Sequence, residues 1–206
     1  MHIRPEFSAV ASRPSPRSIR KAAPKLALEA DRVADVGCGF MNGTLELLKH
    51  HRSVYAIDME AQRRRIQNRI EECSKHPSFA GFRSVDEFRL SKLRLGGAYV
   101  VNVLHTLPEV DQRIDLLVVT ARNLRSNGFI LIDVPSFADY YKGRMSRANA
   151  YGDGYLFRQG PDAFTFYRFS RAEEVDEWAT AAGLEFDSRI VDNHHRVRIY
   201  RVASMS

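Results

Sequence analysis

Residues 33–48 of the chain read VADVGCGFMNGTLELL, and this segment sets the architecture that the remaining residues can adopt. Its apolar beginning predicts a short buried strand, two closely spaced glycines predict a sharp turn, and the later leucines indicate an amphipathic helix. Gly37 and Gly39 lack a Cβ atom, so the backbone can turn tightly there and approach a ligand closely. The start of the helix presents unpaired N–H groups to the same place, which favours an anionic group. Together these elements predict a site for a nucleotide-type cofactor.

A second strand is expected about twenty residues further along, where the apolar Val54–Ile57 is followed by Asp58. A carboxylate at the end of this strand is well placed to accept hydrogen bonds from the hydroxyl groups of a ribose. The spacing of the glycines separates two classes of cofactor. A dinucleotide-binding turn would have a third glycine at position 42, where this chain has Asn42, and it rarely begins with an acid such as Asp35.

The run Asp35-Val36-Gly37-Cys38-Gly39 instead resembles the first motif of the class I S-adenosylmethionine (SAM)-dependent methyltransferases. One position departs from the family, because its frequent third glycine would fall at Met41, and Gly43 follows two residues later. The resemblance implies SAM as the cofactor, with its methionine end held by the acid and the glycine loop and its ribose held by the acid after the second strand. The implied cofactor-binding residues are Asp35, Gly37, Cys38, Gly39, Asp58, Met59, Asp86, Glu87 and Asn102.

Two later segments extend the resemblance. Phe79–Val85 is predicted to be a third strand, and the family's acid after that strand contacts the adenine amino group, which makes Asp86 the first choice and Glu87 the second. Both acids could instead be solvated residues of a turn. The apolar strand that begins at Gly97 runs out into a polar loop at Asn102–Thr106. Its Val-Leu-His-x-Leu-Pro pattern resembles the exit of the fourth strand in small-molecule methyltransferases.

Strands and helices alternate from residue 33 to residue 135, which predicts an α/β fold with a doubly wound sheet. The closing segment also resembles these methyltransferases, and its strands would complete a mostly parallel, seven-stranded Rossmann-like sheet with helices on both faces. At 206 residues the chain is expected to form a single domain. Its predicted parts are an N-terminal arm and helix (1–30), a SAM-binding core (31–135), a substrate-lid insertion (136–166), and a C-terminal helix with strands (167–203).

Further local predictions rest on periodicity alone. Residues 1–14 show no periodicity and are expected to be a loose arm. Apolar spacing predicts one continuous helix over Glu60–Lys75 and another over Asp111–Asn127, the second ended by Gly128. Phe164–Phe169 alternates as a strand does.

The composition of the chain indicates its expected cellular location and argues against disulfides and a metal site. The chain is 44% hydrophobic and 27% charged, which is ordinary for a soluble globular protein. No apolar run approaches the roughly eighteen residues that span a bilayer, and the N-terminus lacks the apolar core of a secretion signal, so the cytoplasm is the expected location. Cys38 and Cys73 are too few for a disulfide framework. No metal site is expected, because adjacent histidines such as His50 and His51 point in different directions.

The net charge of +6 and the pI near 9.5 raise the possibility of a nucleic-acid partner. Arginines cluster at Arg63–Arg65 and Arg69. The alternative is a solvated helix face, in which pairs such as Glu60–Arg64 lie one turn apart. The alternative is favoured, because no aromatic residue is interleaved with the arginines to stack on bases.

Candidate residues for the chemistry lie after the fourth and fifth strands. His105, at the exit of the fourth, is the candidate general base, although it could equally be a packed, hydrogen-bonded histidine. Tyr140, Tyr141 and Arg144 lie in an aromatic segment where the family places an acceptor lid, and they are the candidate substrate-binding residues. The same segment could be an ordinary surface insertion.

The expected function is transfer of a methyl group from SAM to an oxygen or nitrogen atom of a small molecule. The alternatives are an RNA methyltransferase and a non-catalytic SAM-binding or scaffold protein. A dehydrogenase is disfavoured, because the third glycine and a Tyr-x-x-x-Lys pair are both missing from the sequence. The sequence does not identify the acceptor or the oligomeric state.

Overall fold

The computed structural model describes residues 2–9, 14–135, 148–190 and 195–203. The strands in these ranges are β1 (His2–Ile3), β2 (Arg32–Val36), β3 (Ser53–Asp58), β4 (Phe79–Ser84), β5 (Leu95–Val101), β6 (Leu124–Pro135), β7 (Asn149–Tyr151), β8 (Gly154–Arg158), β9 (Ala163–Tyr167), β10 (Leu184–Ile190) and β11 (His195–Val202). The helices are α1 (Arg17–Leu26), α2 (Asn42–Leu47), α3 (Glu60–Arg65), α4 (Gln67–Cys73), α5 (Val85–Leu90), α6 (Val110–Arg122) and α7 (Ala172–Ala181), with 3₁₀ turns at Pro5–Ser8 and Leu104–Thr106. None of these helices is both long enough and apolar enough to cross a membrane.

Seven strands form the main sheet, in the order β10-β11-β6-β5-β2-β3-β4. The five strands from β6 to β4 are parallel, and β11 is antiparallel to both of its neighbours. The predicted mostly parallel, seven-stranded sheet is therefore confirmed. The chain order reverses between β2 and β5, and open α/β sheets bind ligands beyond the carboxyl ends of the strands at such a point.

Helices cover both faces of this sheet, because its central strands are buried on both sides. All seven residues of β5 are buried. On one face, side chains of α1, α2 and α4, such as Ile19, Leu47 and Cys73, join one apolar cluster. On the other face, side chains of α5 and α6, such as Phe88 and Leu117, join a second one together with α7.

Two predicted helices differ from those in the structure. The helix expected over Glu60–Lys75 is divided into α3 and α4 at Ile66, whose φ of −119° and ψ of 20° lie outside the helical region. The helix expected to reach Asn127 ends at Arg122. Its end is fixed by the buried Asn123, whose side-chain amide donates to the Phe88 carbonyl at 2.8 Å and whose side-chain oxygen accepts from Leu93 N at 3.1 Å.

A second, four-stranded sheet has the order β1-β9-β8-β7, in which β7, β8 and β9 are antiparallel and β1 is parallel to β9. Residues 2–9 are therefore not a loose arm. His2 N donates to the Asp162 carbonyl at 3.0 Å, and Arg4 N donates to the Phe164 carbonyl at 2.7 Å. These bonds join backbone groups, so side-chain periodicity in the sequence could not reveal them.

A group of charged side chains around Trp178 ties the second sheet to the main one, and it is called the Asp153 cluster below. Asp153, in the turn between β7 and β8, accepts hydrogen bonds at 2.8 and 3.1 Å from the fully buried guanidinium of Arg113 on α6. Arg168, just after β9, donates to Asp153 and to Glu174 of α7. Both guanidinium groups lie over the ring of Trp178, at 5.0 and 5.2 Å.

Candidate active site

A cavity of about 800 Å³ opens at the carboxyl ends of β2, β3 and β5, where the chain order reverses. Nine of the residues expected at a cofactor or catalytic site line it: Asp35, Gly37, Cys38, Gly39, Asp58, Met59, Asp86, Asn102 and His105. Glu87 does not line the cavity. Tyr140, Tyr141 and Arg144 lie outside the described residues.

The glycine turn is fixed by backbone geometry. Gly37 has a φ of +73°, and a Cβ atom there would lie 2.2 Å from Cγ2 of Val103. The N–H groups of Gly37 and Cys38 donate to the Ile57 carbonyl at 2.7 and 3.0 Å, and that of Gly39 donates to Asp58 at 2.8 Å. The turn therefore uses these N–H groups within the protein.

The carboxylate of Asp35 lies at the start of α2, in the place where the sequence predicted an anionic group of a ligand. Its Oδ2 accepts from the Thr44 hydroxyl at 2.6 Å, and the Thr44 N–H also donates to the carboxylate. Only 4% of Asp35 is exposed, and burial raises its pKa to about 6, with the charge of Asp58 as a further cause. Gly43 makes room for this arrangement, since a Cβ atom there would lie 3.0 Å from Asp35 Oδ2.

Asp58 lies at the end of β3 and borders the same cavity. Its Oδ2 accepts from Gly39 N and its Oδ1 from Met59 N, each at 2.8 Å. Burial raises its pKa to about 6, although these hydrogen bonds, the Cys38 thiol and the charge of Arg65 act in the opposite direction. Each carboxylate oxygen can accept a second hydrogen bond, as a ribose diol would require.

The structure separates the two acids after the third strand of the core. Asp86 lines the cavity. The Glu87 carboxylate accepts from Ser84 N at 2.6 Å, closes a capping box at the start of α5, and pairs with Arg63. The sequence carried a signal for this difference, because Ser84 followed three residues later by Glu87 is the capping-box pattern.

His105 lies in the 3₁₀ turn after β5 and is only 3% exposed. Its ring stacks on Tyr167 of β9 with the centroids 5.4 Å apart, and the Tyr167 hydroxyl donates to the Ser8 carbonyl at 3.3 Å. Tyr167 also lines the cavity, so the second sheet contributes a side chain to the site. Before it, Asn102 directly follows β5, has a φ of +57° and donates its N–H to the Asp133 carbonyl at 2.9 Å.

The sequence did not indicate several residues that line the cavity, among them Gln62 and Tyr167. Gln62 of α3 is fully buried, and its Nε2 donates to the Gly39 carbonyl at 2.8 Å, which fixes the glycine turn. In the sequence it is one more polar residue of an amphipathic helix. Tyr167 belongs to a segment whose alternation predicted a strand, but nothing in that pattern indicates that the strand reaches the cavity.

No protein-family model and no curated protein sequence matches the chain. Solved structures do resemble it. The CcbJ methyltransferase from Streptomyces caelestis is 17% identical, with a TM-score of 0.66 over 92% of this chain and 97% of that one. A SAM-dependent methyltransferase from Methanosarcina mazei is 18% identical, with a TM-score of 0.63 over 85% and 93%. The 1,6-didemethyltoxoflavin-N1-methyltransferase from Burkholderia thailandensis is 21% identical, with a TM-score of 0.56 over 91% and 79%.

At these identities the likeness shows the fold, and the predicted class I methyltransferase fold is confirmed. The glycine turn, Asp35, Asp58 and His105 line the cavity at the point where the strand order of the sheet reverses.

Proposed function

We propose that this protein is a SAM-dependent methyltransferase that transfers a methyl group to an oxygen or nitrogen atom of a small molecule. The observation that carries the proposal is a pair of carboxylates, the buried Asp35 and the half-buried Asp58, on the wall of one cavity of a methyltransferase fold. Ionised carboxylates in such a place are stabilised by a cationic ligand. SAM carries an ammonium group and a sulfonium group, and its ribose suits Asp58.

The proposed role of each residue depends on the end of the cavity at which it lies. Asp86 and Met59 would border the adenine and ribose, while Asp35 and the glycine turn would border the methionine end. Bound SAM would supply an electrophilic methyl group. The protein then has to align the acceptor for in-line attack and remove its proton, and His105 is the described side chain best placed to do so. Tyr167 would hold the His105 ring in position through their stacking contact.

A small-molecule acceptor is favoured over RNA by the ion pairs of the arginine-rich helices. Arg63 pairs with Glu60 and Glu87, and Arg69 pairs with Glu72, so these charges are largely balanced by neighbouring acids. Among the structural neighbours, the Burkholderia thailandensis enzyme was crystallised with 1,6-didemethyltoxoflavin and S-adenosylhomocysteine.

The choice between a small molecule and RNA as the acceptor is tested by incubating the protein and methyl-labelled SAM with a metabolite extract and with total RNA. Label found only in RNA would overturn it, and label in neither would favour a non-catalytic SAM-binding protein.

SAM binding should depend on pH in a defined direction. The pKa of Asp35 and that of Asp58 are both raised to about 6. A cationic ligand favours their ionised forms, so binding should release protons below pH 7 and should strengthen as the pH rises. Each carboxylate that must ionise weakens binding about tenfold between pH 7 and pH 5, so we expect the dissociation constant for SAM to be about 100-fold larger at pH 5 than at pH 7. Calorimetry in buffers of different ionisation enthalpy would measure both the affinity and the released protons.

The control for this experiment is Asp35→Asn, which removes one of the titrating groups and should reduce the number of protons released. Cys38 is not expected to contribute to the proton release, because burial and both carboxylates hold the pKa of its thiol well above its ordinary value. SAM binding that is independent of pH between 5 and 7 would contradict the role of the two acids. The absence of any SAM binding would refute the proposed function itself.

His105→Gln should lower turnover by about 100-fold or more, because general-base catalysis commonly contributes that much. The affinity for SAM should stay close to that of the wild type, since the role of His105 is in proton removal. Methyl transfer to the acceptor found in the extract, together with calorimetry, measures both quantities. His76→Gln, at an exposed histidine after α4, is the matched control and should change neither. Equal losses of SAM binding and turnover in His105→Gln would assign His105 to the cofactor pocket.

A further inference from the structure

We propose that residues 2–9, called the N-terminal strap here, close over the bound cofactor, and that Arg65 is the positioning residue that holds the strap in its closed place. The proposal rests on the proposed function, since it takes SAM or its demethylated product as the ligand beneath the strap. It adds a residue and a segment that the sequence did not connect with the site.

The strap has one end on the second sheet and the other over the cavity. Its first residues pair with β9 through the backbone bonds of His2 and Arg4. Pro5, Glu6, Ser8 and Ala9 then line the cavity. The Ser8 carbonyl accepts from Tyr167, the residue that stacks on His105. The strap therefore extends from the side of the cavity at His105, where the acceptor is proposed to react, to the side proposed for the cofactor.

Arg65 of α3 joins the strap to the glycine turn. Its guanidinium donates to the Glu6 carbonyl of the strap. The same group lies over the ring of Phe7 in the strap at 5.0 Å and over the ring of Phe40 in the glycine turn at 5.4 Å. Two aromatic rings from segments far apart in the sequence thus share one cation.

The same guanidinium is linked to the cofactor-binding acid by a chain of hydrogen bonds. Arg65 Nη1 donates to Gln62 Oε1 at 3.0 Å, and Gln62 Nε2 donates to the Gly39 carbonyl at 2.8 Å. Gly39 N in turn donates to Asp58 at 2.8 Å. The charge of Arg65 also favours the ionised form of Asp58 and so lowers its pKa. The position of the strap and the position of the Asp58 carboxylate are therefore both linked to the side chain of Arg65.

A strap of this kind has a kinetic signature. A ligand beneath it is retained for longer while the contacts to Glu6 and Phe7 persist. Weakening those contacts should therefore speed dissociation without slowing association. Loss of a direct ligand contact would also act mainly on dissociation, so the decisive position is Phe7, which does not line the cavity.

The test measures association and dissociation rates of S-adenosylhomocysteine by stopped-flow displacement for the wild type, Phe7→Ala, Arg65→Ala and Arg65→Lys. Dissociation should become about tenfold faster in Phe7→Ala and in Arg65→Ala, the size expected from losing a cation–π contact or a charged hydrogen bond. Association should be at least as fast as in the wild type. Arg65→Lys keeps the charge without the planar group, and its dissociation rate should lie between those of the wild type and Arg65→Ala.

Arg64→Ala is the matched control. Arg64 is the neighbour of Arg65 on α3, it is exposed, and its side chain forms no hydrogen bond or ion pair with any residue that the structure describes. Its rates should equal those of the wild type. If Arg65→Ala fails to fold, Phe7→Ala still decides the question, because Phe7 is 36% exposed and contributes little to the core. Wild-type rates in Phe7→Ala, or slower association in it, would overturn the strap alone, whereas a wild-type protein that binds no ligand would overturn the proposed function.

Discussion

Replacement of Asp153 by asparagine is expected to lower the free energy of unfolding by about 2 kcal/mol, because the buried guanidinium of Arg113 loses its charged partner, while the partial exposure of the carboxylate keeps the loss below that of a fully buried pair. In the Asp153 cluster the carboxylate faces two guanidinium groups, those of Arg113 and Arg168. Arg113 is fully buried and has its other donors on the carbonyls of Leu107 and Pro108. Asparagine keeps the shape of the side chain and removes its charge, so Arg113 would lose its carboxylate partner and Arg168 would keep Glu174 alone.

Urea unfolding monitored by tryptophan fluorescence would measure the loss, since Trp178 is the only tryptophan of the chain. Asp162→Asn is the matched control, because Asp162 is an exposed acid beside β9 in the same sheet. It should change the stability by less than about 0.5 kcal/mol. A loss below about 1 kcal/mol in Asp153→Asn would mean that solvent reaching the partly exposed carboxylate already screens the cluster.

Gly37→Ala is expected to weaken SAM binding by about 100-fold or more, which corresponds to at least about 3 kcal/mol. An alanine Cβ would lie 2.2 Å from Cγ2 of Val103, so either the glycine turn or the loop after β5 must move. Both border the cavity, and the turn also holds Asp58 through Gly39 N. The φ of +73° adds the cost of a left-handed conformation, about 1–2 kcal/mol for a residue with a Cβ atom.

Gly183→Ala separates these two effects. Gly183 has a φ of +76°, and a Cβ atom there would meet nothing within 4 Å. The control variant should therefore lose stability to a similar extent through φ alone and bind SAM as the wild type does. Adding Val103→Ala to Gly37→Ala removes the clashing methyl groups and should restore part of the affinity. Calorimetry would measure the affinity for SAM in Gly37→Ala, in Gly183→Ala and in the double variant. Wild-type affinity in Gly37→Ala would show that SAM binding does not depend on this turn.

The features that the sequence predicted are those that short segments determine. The turn at Gly37 and Gly39 and the acid after β3 depend on spacings of a few residues, so local pattern was enough to find them. The departure at Met41 did not alter the turn. Met41 adopts a left-handed conformation with a φ of +63°, and the burial of its whole side chain offsets the backbone strain.

The features that the sequence did not predict depend on contacts between distant segments. Gln62 and Tyr167 reach the cavity only because of how α3 and β9 pack against the main sheet. The strap depends on backbone pairing between residues 2–4 and residues 162–164, which leaves no side-chain pattern. The role of Asp153 required knowing that Arg113 and Arg168 meet at one place.

The two ends of the seven-stranded sheet have a consequence for how copies of the chain meet. An outermost strand presents unpaired backbone groups on which another chain can add a strand. In β10 the pairing with β11 is interrupted by a bulge between Phe186 and Ser188, and charged residues such as Glu185 and Arg189 are exposed. At the other end, the pairing of β4 with β3 is also irregular. The bulge and the exposed charges of β10 oppose strand addition at that border, and the irregular register of β4 opposes it at the other, so neither end of this sheet favours association of copies through an added strand.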